Sequence, residues 1–107
     1  MMKLYGQVTR FDLHFSDGQR VVINKLSDYD IDLYKSEKST IEITTINNSE
    51  LFNRFCNNND NIVKIQFTIE EKEVIDSMCN MHIDNLMLNG SIDTASEMRI
   101  TLEGMVK

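Results

Sequence analysis

The chain has 107 residues, 17 acidic against 11 basic, and a formal net charge of −6. This balance argues against direct binding of duplex nucleic acid, because Lys and Arg side chains that neutralise phosphates supply most of that affinity. The length predicts a single domain over residues 1–107 with one modest core. The N-terminus lacks the apolar region of a signal peptide, and no apolar run approaches the roughly 20 residues of a membrane helix. We therefore expect a cytoplasmic or virion protein with no membrane partner.

Alternation of apolar and polar residues dominates the first part of the chain and predicts two strands. The residues expected to face the core are Phe11, Leu13, Phe15, Val21 and Ile23. Asp12 and His14 would face the other way, and Asp17-Gly18 between the two strands is a strong signal for a tight hairpin turn. Leu4 and Val8 have the opposite parity, so we expect a bulge near Thr9-Arg10.

The stretch SDYDIDLYK, residues 27–35, places an aspartate at every second position: Asp28, Asp30 and Asp32. A helix–loop–helix calcium site needs glycine at its sixth position and glutamate at its twelfth. Counted from Asp28, those positions hold Leu33 and Ser39, so the calcium pattern fails. The apolar residues between the aspartates are typical of a strand with a solvated carboxylate face.

Further strands are predicted over residues 39–46, 61–70 and 96–106, with a short helix between the first two. The residues expected to face the core are Ile41, Ile43, Val63, Ile65, Phe67, Ile69, Met98, Ile100 and Leu102. The helix, SELFNRFC, would be capped by Ser49 and ended by the asparagine run that follows it. Asn89-Gly90 signals a second hairpin turn.

Residues 70–82 fit two patterns. Thr68 and Glu71 form a possible helix capping box, and apolar residues downstream recur at helical spacing. The same segment also alternates strictly, with Ile75, Cys79 and Ile83 on one side, and we favour a strand. About seven strands and one or two short helices predict a mainly β (α+β) fold: a small antiparallel β-sandwich or a partly closed barrel.

The sequence offers little for catalysis or metal binding. The candidate zinc ligands, Cys56, Cys79, His14 and His82, include no closely spaced pair of the kind that structural zinc sites use. In a chain without an export signal, both cysteines are expected to be reduced and buried. No nucleophile motif or phosphate-binding glycine loop is present. We therefore predict no enzyme activity, no catalytic residue, no metal site and no cofactor.

Five of the seven methionines lie in the last third of the chain. Met78, Met81 and Met87 could join the three aspartates in an adaptable protein-binding surface, since methionine accommodates varied partners. An ordinary core filled by a flexible residue is the alternative.

The C-terminal segment MHIDNLMLNGSIDTASEMRITLEGMV resembles the closing strands of the small β-sandwich of phage tail-tube and related tail or baseplate proteins, and SELFNRFC resembles the short helix of such domains. The resemblance implies self-association into a ring, or an adaptor role in a virion, and transfers no functional residue. The function hypothesis is thus a non-enzymatic assembly or protein-interaction module, such as a structural or tail-associated protein of a phage. The alternative is a small acidic inhibitor whose carboxylates mimic phosphates toward a host nucleic-acid-binding protein.

Overall fold

A computed structural model of the protein describes residues 6–46, 48–89 and 97–107. The elements are β1 (Val8–Phe15), β2 (Arg20–Ile23), β3 (Leu26–Asp32), β4 (Lys38–Thr45), α1 (Ser49–Cys56), β5 (Ile62–Ile69), β6 (Glu73–Asn89) and β7 (Glu97–Val106). The strands form one antiparallel sheet with the order β2-β1-β5-β6-β7-β4-β3. The predicted mainly β fold is confirmed, and the sheet is not closed into a barrel.

The two outermost strands of the sheet are consecutive in the chain. Only Asn24 and Lys25 separate β2 from β3, although five strands lie between them in the sheet order. The sheet therefore folds over on itself. Tyr29 of β3 packs edge-on against Phe11 of β1, with ring centroids 5.9 Å apart, and its hydroxyl accepts a 2.8 Å hydrogen bond from the backbone N–H of Val8. The core lies between the two halves of the folded sheet.

The alternation predicted from the sequence matches most of this core. The buried residues that were expected to face inward are Phe11, Leu13, Phe15, Val21, Ile23, Ile41, Ile43, Ile65, Phe67, Ile69, Met98, Ile100 and Leu102. The pairing of β1 with β5 shifts register between Val8 and Arg10, which is where a bulge was expected. The shift explains why Val8 reaches the core from the opposite parity.

Two local predictions were wrong by one residue. Ile62 is fully buried whereas Val63 is half-buried, because the pairing of β5 with β6 shifts register between Ile62 and Lys64. Asn48 rather than Ser49 caps α1, since its side-chain oxygen accepts a 3.2 Å hydrogen bond from the N–H of Leu51. Asparagine is as good a helix cap as serine, so sequence alone did not separate the two.

Residues 73–82 belong to β6, which confirms the strand interpretation of this segment. Two other predictions, the inward-facing Leu4 and the turn at Asn89-Gly90, involve residues outside the described part of the chain.

Helix α1 is held against the β1–β2 turn by a buried arginine. The Arg54 guanidinium lies 4.0 Å from the centre of the Phe15 ring. It also donates 3.1 Å hydrogen bonds to the Asp17 carboxylate and to the carbonyl of Asn59. These contacts offset part of the cost of removing its charge from water, while its buried Nε has no hydrogen-bond partner among the described residues. Among the described residues, no helix is long and apolar enough to span a bilayer.

Candidate assembly surface

The three aspartates lie on β3, an edge strand, so the strand interpretation of this stretch is confirmed. Between them, Tyr29 and Ile31 pair with core-facing positions of β4 and pack against the core. Asp28 and Asp30 are exposed, and Asp30 lies directly opposite Glu42. Like charges at directly opposed positions destabilise a strand pair. In the part of the chain that the structure describes, none of Asp28, Asp30 and Glu42 takes part in a salt bridge.

The sheet has two free edges in the described structure. β2 pairs only with β1, and β3 pairs only with β4. An unpaired edge presents backbone N–H and C=O groups that can hydrogen-bond a strand from another chain. The four-residue β2 is a short template, whereas β3 offers seven residues.

A compact ion pair lies on the outer surface of β1 and β2. Arg10 Nε and Arg20 Nη1 lie 2.6 Å and 3.6 Å from the carboxylate oxygens of Asp12. Hydrogen bonding to Arg10 lowers the pKa of Asp12 below its ordinary value, against the opposing effect of burial. Asp12 was expected on the polar face of β1. It is only 5% exposed, and it lies in ion pairs with Arg10 and Arg20. Arg10 and Arg20 place basic groups on β1 and β2, whereas Asp28 and Asp30 place acidic groups on β3.

A chain of polar side chains crosses the neighbouring strands. His14 Nε2 lies 2.6 Å from Gln66 Oε1, and the Gln66 amide donates a 2.9 Å hydrogen bond to Asp76. His14 is therefore occupied in a cross-strand contact on the outside of the sheet.

The methionines divide between surface and core. Met78 and Met87 are 52% and 56% exposed. Met105 is 42% exposed, although it was not predicted to be a contact residue. Met81 is only 1% exposed, because it shares the inward parity of Cys79 and Ile83. It fills the core of the isolated chain and is not available as a contact residue there.

We use the term outer face of β6–β7 for the solvent-facing side chains of these two strands. The residues are Val74, Asp76, Met78, Asn80, His82, Asp84, Asn85, Met87 and Asn89 on β6 and Arg99, Thr101, Glu103 and Met105 on β7. Met78 and Met105 lie near one end, since Met105 pairs with Asn80. Met87 lies about 30 Å further along the strand, at roughly 3.3 Å per residue. The exposed methionines therefore form two separate apolar positions.

Both cysteines are free thiols, but only one is buried. Burial raises the pKa of Cys79 to about 11, and its Sγ lies 3.5 Å from the carbonyl of Ile62. Cys56, expected to be buried, is exposed at the last residue of α1. A buried thiol of raised pKa is a poor nucleophile, so Cys79 has the character of a core residue.

Three shallow cavities of about 290–330 Å³ open on the surface. The first lies where β4, β6 and β7 meet, beside Met87, Glu97 and Arg99. In the described part of the chain, the residues that line these cavities include no histidine or cysteine.

Comparison with solved structures finds two chains whose fold is similar to that of this protein. No family model and no curated protein matches the sequence. The structure is similar to the SPP1 tail tube, solved by solid-state NMR and cryo-EM, with a TM-score of 0.61 and 12% sequence identity over 95% of this chain and 75% of that chain. The chain shares the tail-tube fold.

A second solved structure also has a similar fold. A chain of the virion of a native gene transfer agent particle matches with a TM-score of 0.51 and 10% identity, over 90% of this chain and 95% of that chain. The resemblance noted for the C-terminal segment is thus confirmed as a likeness of fold, and it extends over nearly the full chain.

Proposed function

We propose that this chain is a non-enzymatic assembly subunit of a phage-type tail or virion, and that its partner is a second copy or another structural protein of the particle. The likeness to the SPP1 tail tube over 95% of the chain is the observation that carries the proposal. Function does not follow from fold alone, so the surfaces of this chain must supply the contacts.

The sheet edges are the first of these contacts. Among the described residues, β3 has no neighbouring strand along its outer side, and it carries Asp28, Asp30 and Asp32. A strand added there would gain main-chain hydrogen bonds, and the aspartates would select a partner with basic side chains. The same carboxylates discourage indiscriminate pairing of β3 with itself.

The C-terminal half of β6 is the second candidate contact. The pairing of β5 with β6 stops at Ile62 and Met81, so residues 83–89 have no strand on that side among the described residues. Met87 is exposed on this segment and lies beside a cavity of about 300 Å³. An apolar side chain from a partner could fill that cavity, and Met78 offers a second apolar contact at the other end of the strand.

Light scattering coupled to size-exclusion chromatography, with native mass spectrometry, tests the proposal over a wide range of protein concentration. We expect discrete oligomers, or a defined complex with another structural protein of the same particle. Assembly through apolar side chains and backbone edges should persist at high salt, which screens exposed charges.

A charge placed in the apolar contacts provides the matched comparison. The double variant Met78→Glu/Met87→Glu should dissociate the oligomer, whereas Asn53→Glu, which adds a charge at an exposed position of α1, should not. A chain that stays monomeric at every concentration and binds no structural protein of its particle would refute the proposal.

The acidic outer face of β3 and β4 favours a second candidate, an inhibitor that mimics phosphate charge toward a basic host protein. Its exposed carboxylates include Asp28, Asp30 and Glu42. In that case the chain binds one nucleic-acid-binding protein, the affinity falls steeply with salt, and Asp28→Asn/Asp30→Asn weakens it. Salt-resistant oligomers that tolerate this variant would exclude the second candidate.

A further inference from the structure

A histidine and two carboxylates converge at the middle of the outer face of β6–β7. His82 of β6 lies directly opposite Glu103 of β7 in the strand register. Asp84 follows two residues after His82 and is exposed on the same side. One donor atom from each of these side chains lies within 4.8 Å of the others. Sequence patterns do not connect His82 with Glu103, because the two residues come from different strands and form no short motif.

A bulge in β6 creates the convergence. Ile83 pairs with Leu102 and Asn85 pairs with Thr101, so Asp84 is an extra residue with no partner of its own. Bulges bend a strand locally and change where its side chains point. The Ile83 N–H at this bulge donates a 3.0 Å hydrogen bond to the Asp60 carboxylate. That contact comes from the loop before β5 and fixes the backbone beneath the three donors.

The ammonium group of a lysine side chain lies at one side of this group. Lys38 Nζ, from the neighbouring β4, is 3.0 Å from Glu103 Oε1. The lysine side chain is 66% exposed, so it can swing into solvent with little loss of packing. The ammonium shows that positive charge is favoured beside Glu103, and it would compete with any metal ion for the same carboxylate.

From this geometry we infer that His82, Asp84 and Glu103 form a binding site for a divalent transition-metal ion, such as Zn²⁺ or Co²⁺. Bonds of about 2.0–2.2 Å place ligand atoms about 3.0–3.5 Å apart around such an ion. Small rotamer changes of exposed side chains close the remaining gap from 4.8 Å. A neutral imidazole with two carboxylates suits zinc, cobalt, nickel or manganese better than calcium or magnesium, which prefer oxygen ligands alone.

The site has open coordination positions. Three protein ligands leave at least one position of a four-coordinate ion free for water. His82 and Asp84 are exposed, so this position faces solvent.

Isothermal titration of untagged, chelator-treated protein with Co²⁺ and Zn²⁺, together with the visible spectrum of the cobalt complex, tests this inference. We expect one ion per chain. Mutation of even an indirect partner of a metal ligand typically lowers affinity about 10- to 100-fold, so His82→Gln and Glu103→Gln should each weaken binding at least about tenfold. Lys38→Met should tighten binding, because it removes the competing ammonium.

The other histidine of the chain supplies the matched control. His14 contacts Gln66 on β5, away from the three donors, so His14→Gln should bind metal as the parent does. Amide NMR shifts induced by Zn²⁺ should centre on residues 82–84 and 103, and thermal melts should show each variant to be folded. Absence of binding by the folded parent, or an affinity of folded His82→Gln equal to that of the parent, would overturn the inference.

Discussion

The hydroxyl of Tyr29 accepts a 2.8 Å hydrogen bond from the backbone N–H of Val8. This bond joins β3 to β1, strands that lie five places apart in the sheet order. The Tyr29 and Phe11 rings also pack edge-on, with centroids 5.9 Å apart. These two contacts hold the two halves of the folded sheet together.

Tyr29→Phe tests the contribution of the hydrogen bond, because it removes the hydroxyl and retains the ring. The Val8 N–H would lose its acceptor at a residue that is 2% exposed. A buried donor left unsatisfied costs about 1–3 kcal/mol, and the free energy of unfolding in urea should fall by that amount. Tyr34→Phe, at an exposed position, is the control and should change stability little. Equal stability of the two variants would contradict the assignment.

Stability should depend on Asp12 in acid. Its pKa is lowered in the folded protein, chiefly by the hydrogen bonds from Arg10. The ion pair therefore contributes fully above the unfolded-state pKa of about 3.9, and the contribution is lost as the pH falls through the lower folded-state pKa. Urea unfolding at a series of pH values should show Asp12→Asn less stable than the parent at neutral pH.

The gap between Asp12→Asn and the parent should then shrink below about pH 4. Asp30→Asn, which removes the same charge from an exposed position on β3, provides the comparison. A gap that stays constant on acidification would show that the ionised carboxylate is not the source of the stability.

Gly104 is required by the close approach of β6 to β7. A Cβ added there would overlap the carbonyl oxygen of Asn80 and lie 2.6 Å from the Cα of Met81. Because these are backbone atoms of a neighbouring central strand, they cannot move aside cheaply. Gly104→Ala should therefore cost about 1–3 kcal/mol or more in chemical denaturation.

Gly18 is the matched case for this substitution. It also has a positive φ, +89°, but a Cβ there meets nothing within 4 Å. Gly18→Ala tests backbone conformation without the steric overlap and should be the milder change. If Gly18→Ala proved the more damaging of the two, the steric account of Gly104 would fail.

The two thiols should react at very different rates. Cys56 is exposed, whereas Cys79 is buried with its pKa raised to about 11, so it remains protonated at neutral pH. Since the thiolate is the reactive form, alkylation of the native protein should add one label, at Cys56, and a second only in denaturant. Peptide mass mapping locates each label, and rapid native labelling of Cys79 would show that the core opens readily.

The strands could be predicted from the sequence because one face of the sheet is buried, which imposes the alternation seen in residues such as Ile41 and Ile43. Register shifts make prediction from alternation less accurate, because a bulge moves the inward-facing position by one residue. Ile62, rather than Val63, is fully buried for this reason. The same alternation also contained the signal that Met81 points inward with Cys79.

The candidate assembly surface was less predictable, because it depends on strand order. Nothing local in the sequence shows that β2 and β3 form the two edges, or that His82 lies opposite Glu103. Both relationships come from pairings between distant segments, which composition and periodicity do not encode.

The two-residue link Asn24–Lys25 has a consequence for the order of folding. The first half of the chain forms the β1–β2 and β3–β4 hairpins, which lie at the two edges of the sheet. The meander β5-β6-β7 forms its centre. A nascent chain that ends before β5 therefore has two hairpins whose apolar sides lack their final neighbours. The backbone N–H of Gln7 can donate its hydrogen bond to Glu70, 63 positions away, only after β5 is made. The sheet is therefore completed late, as expected for a topology rich in distant contacts.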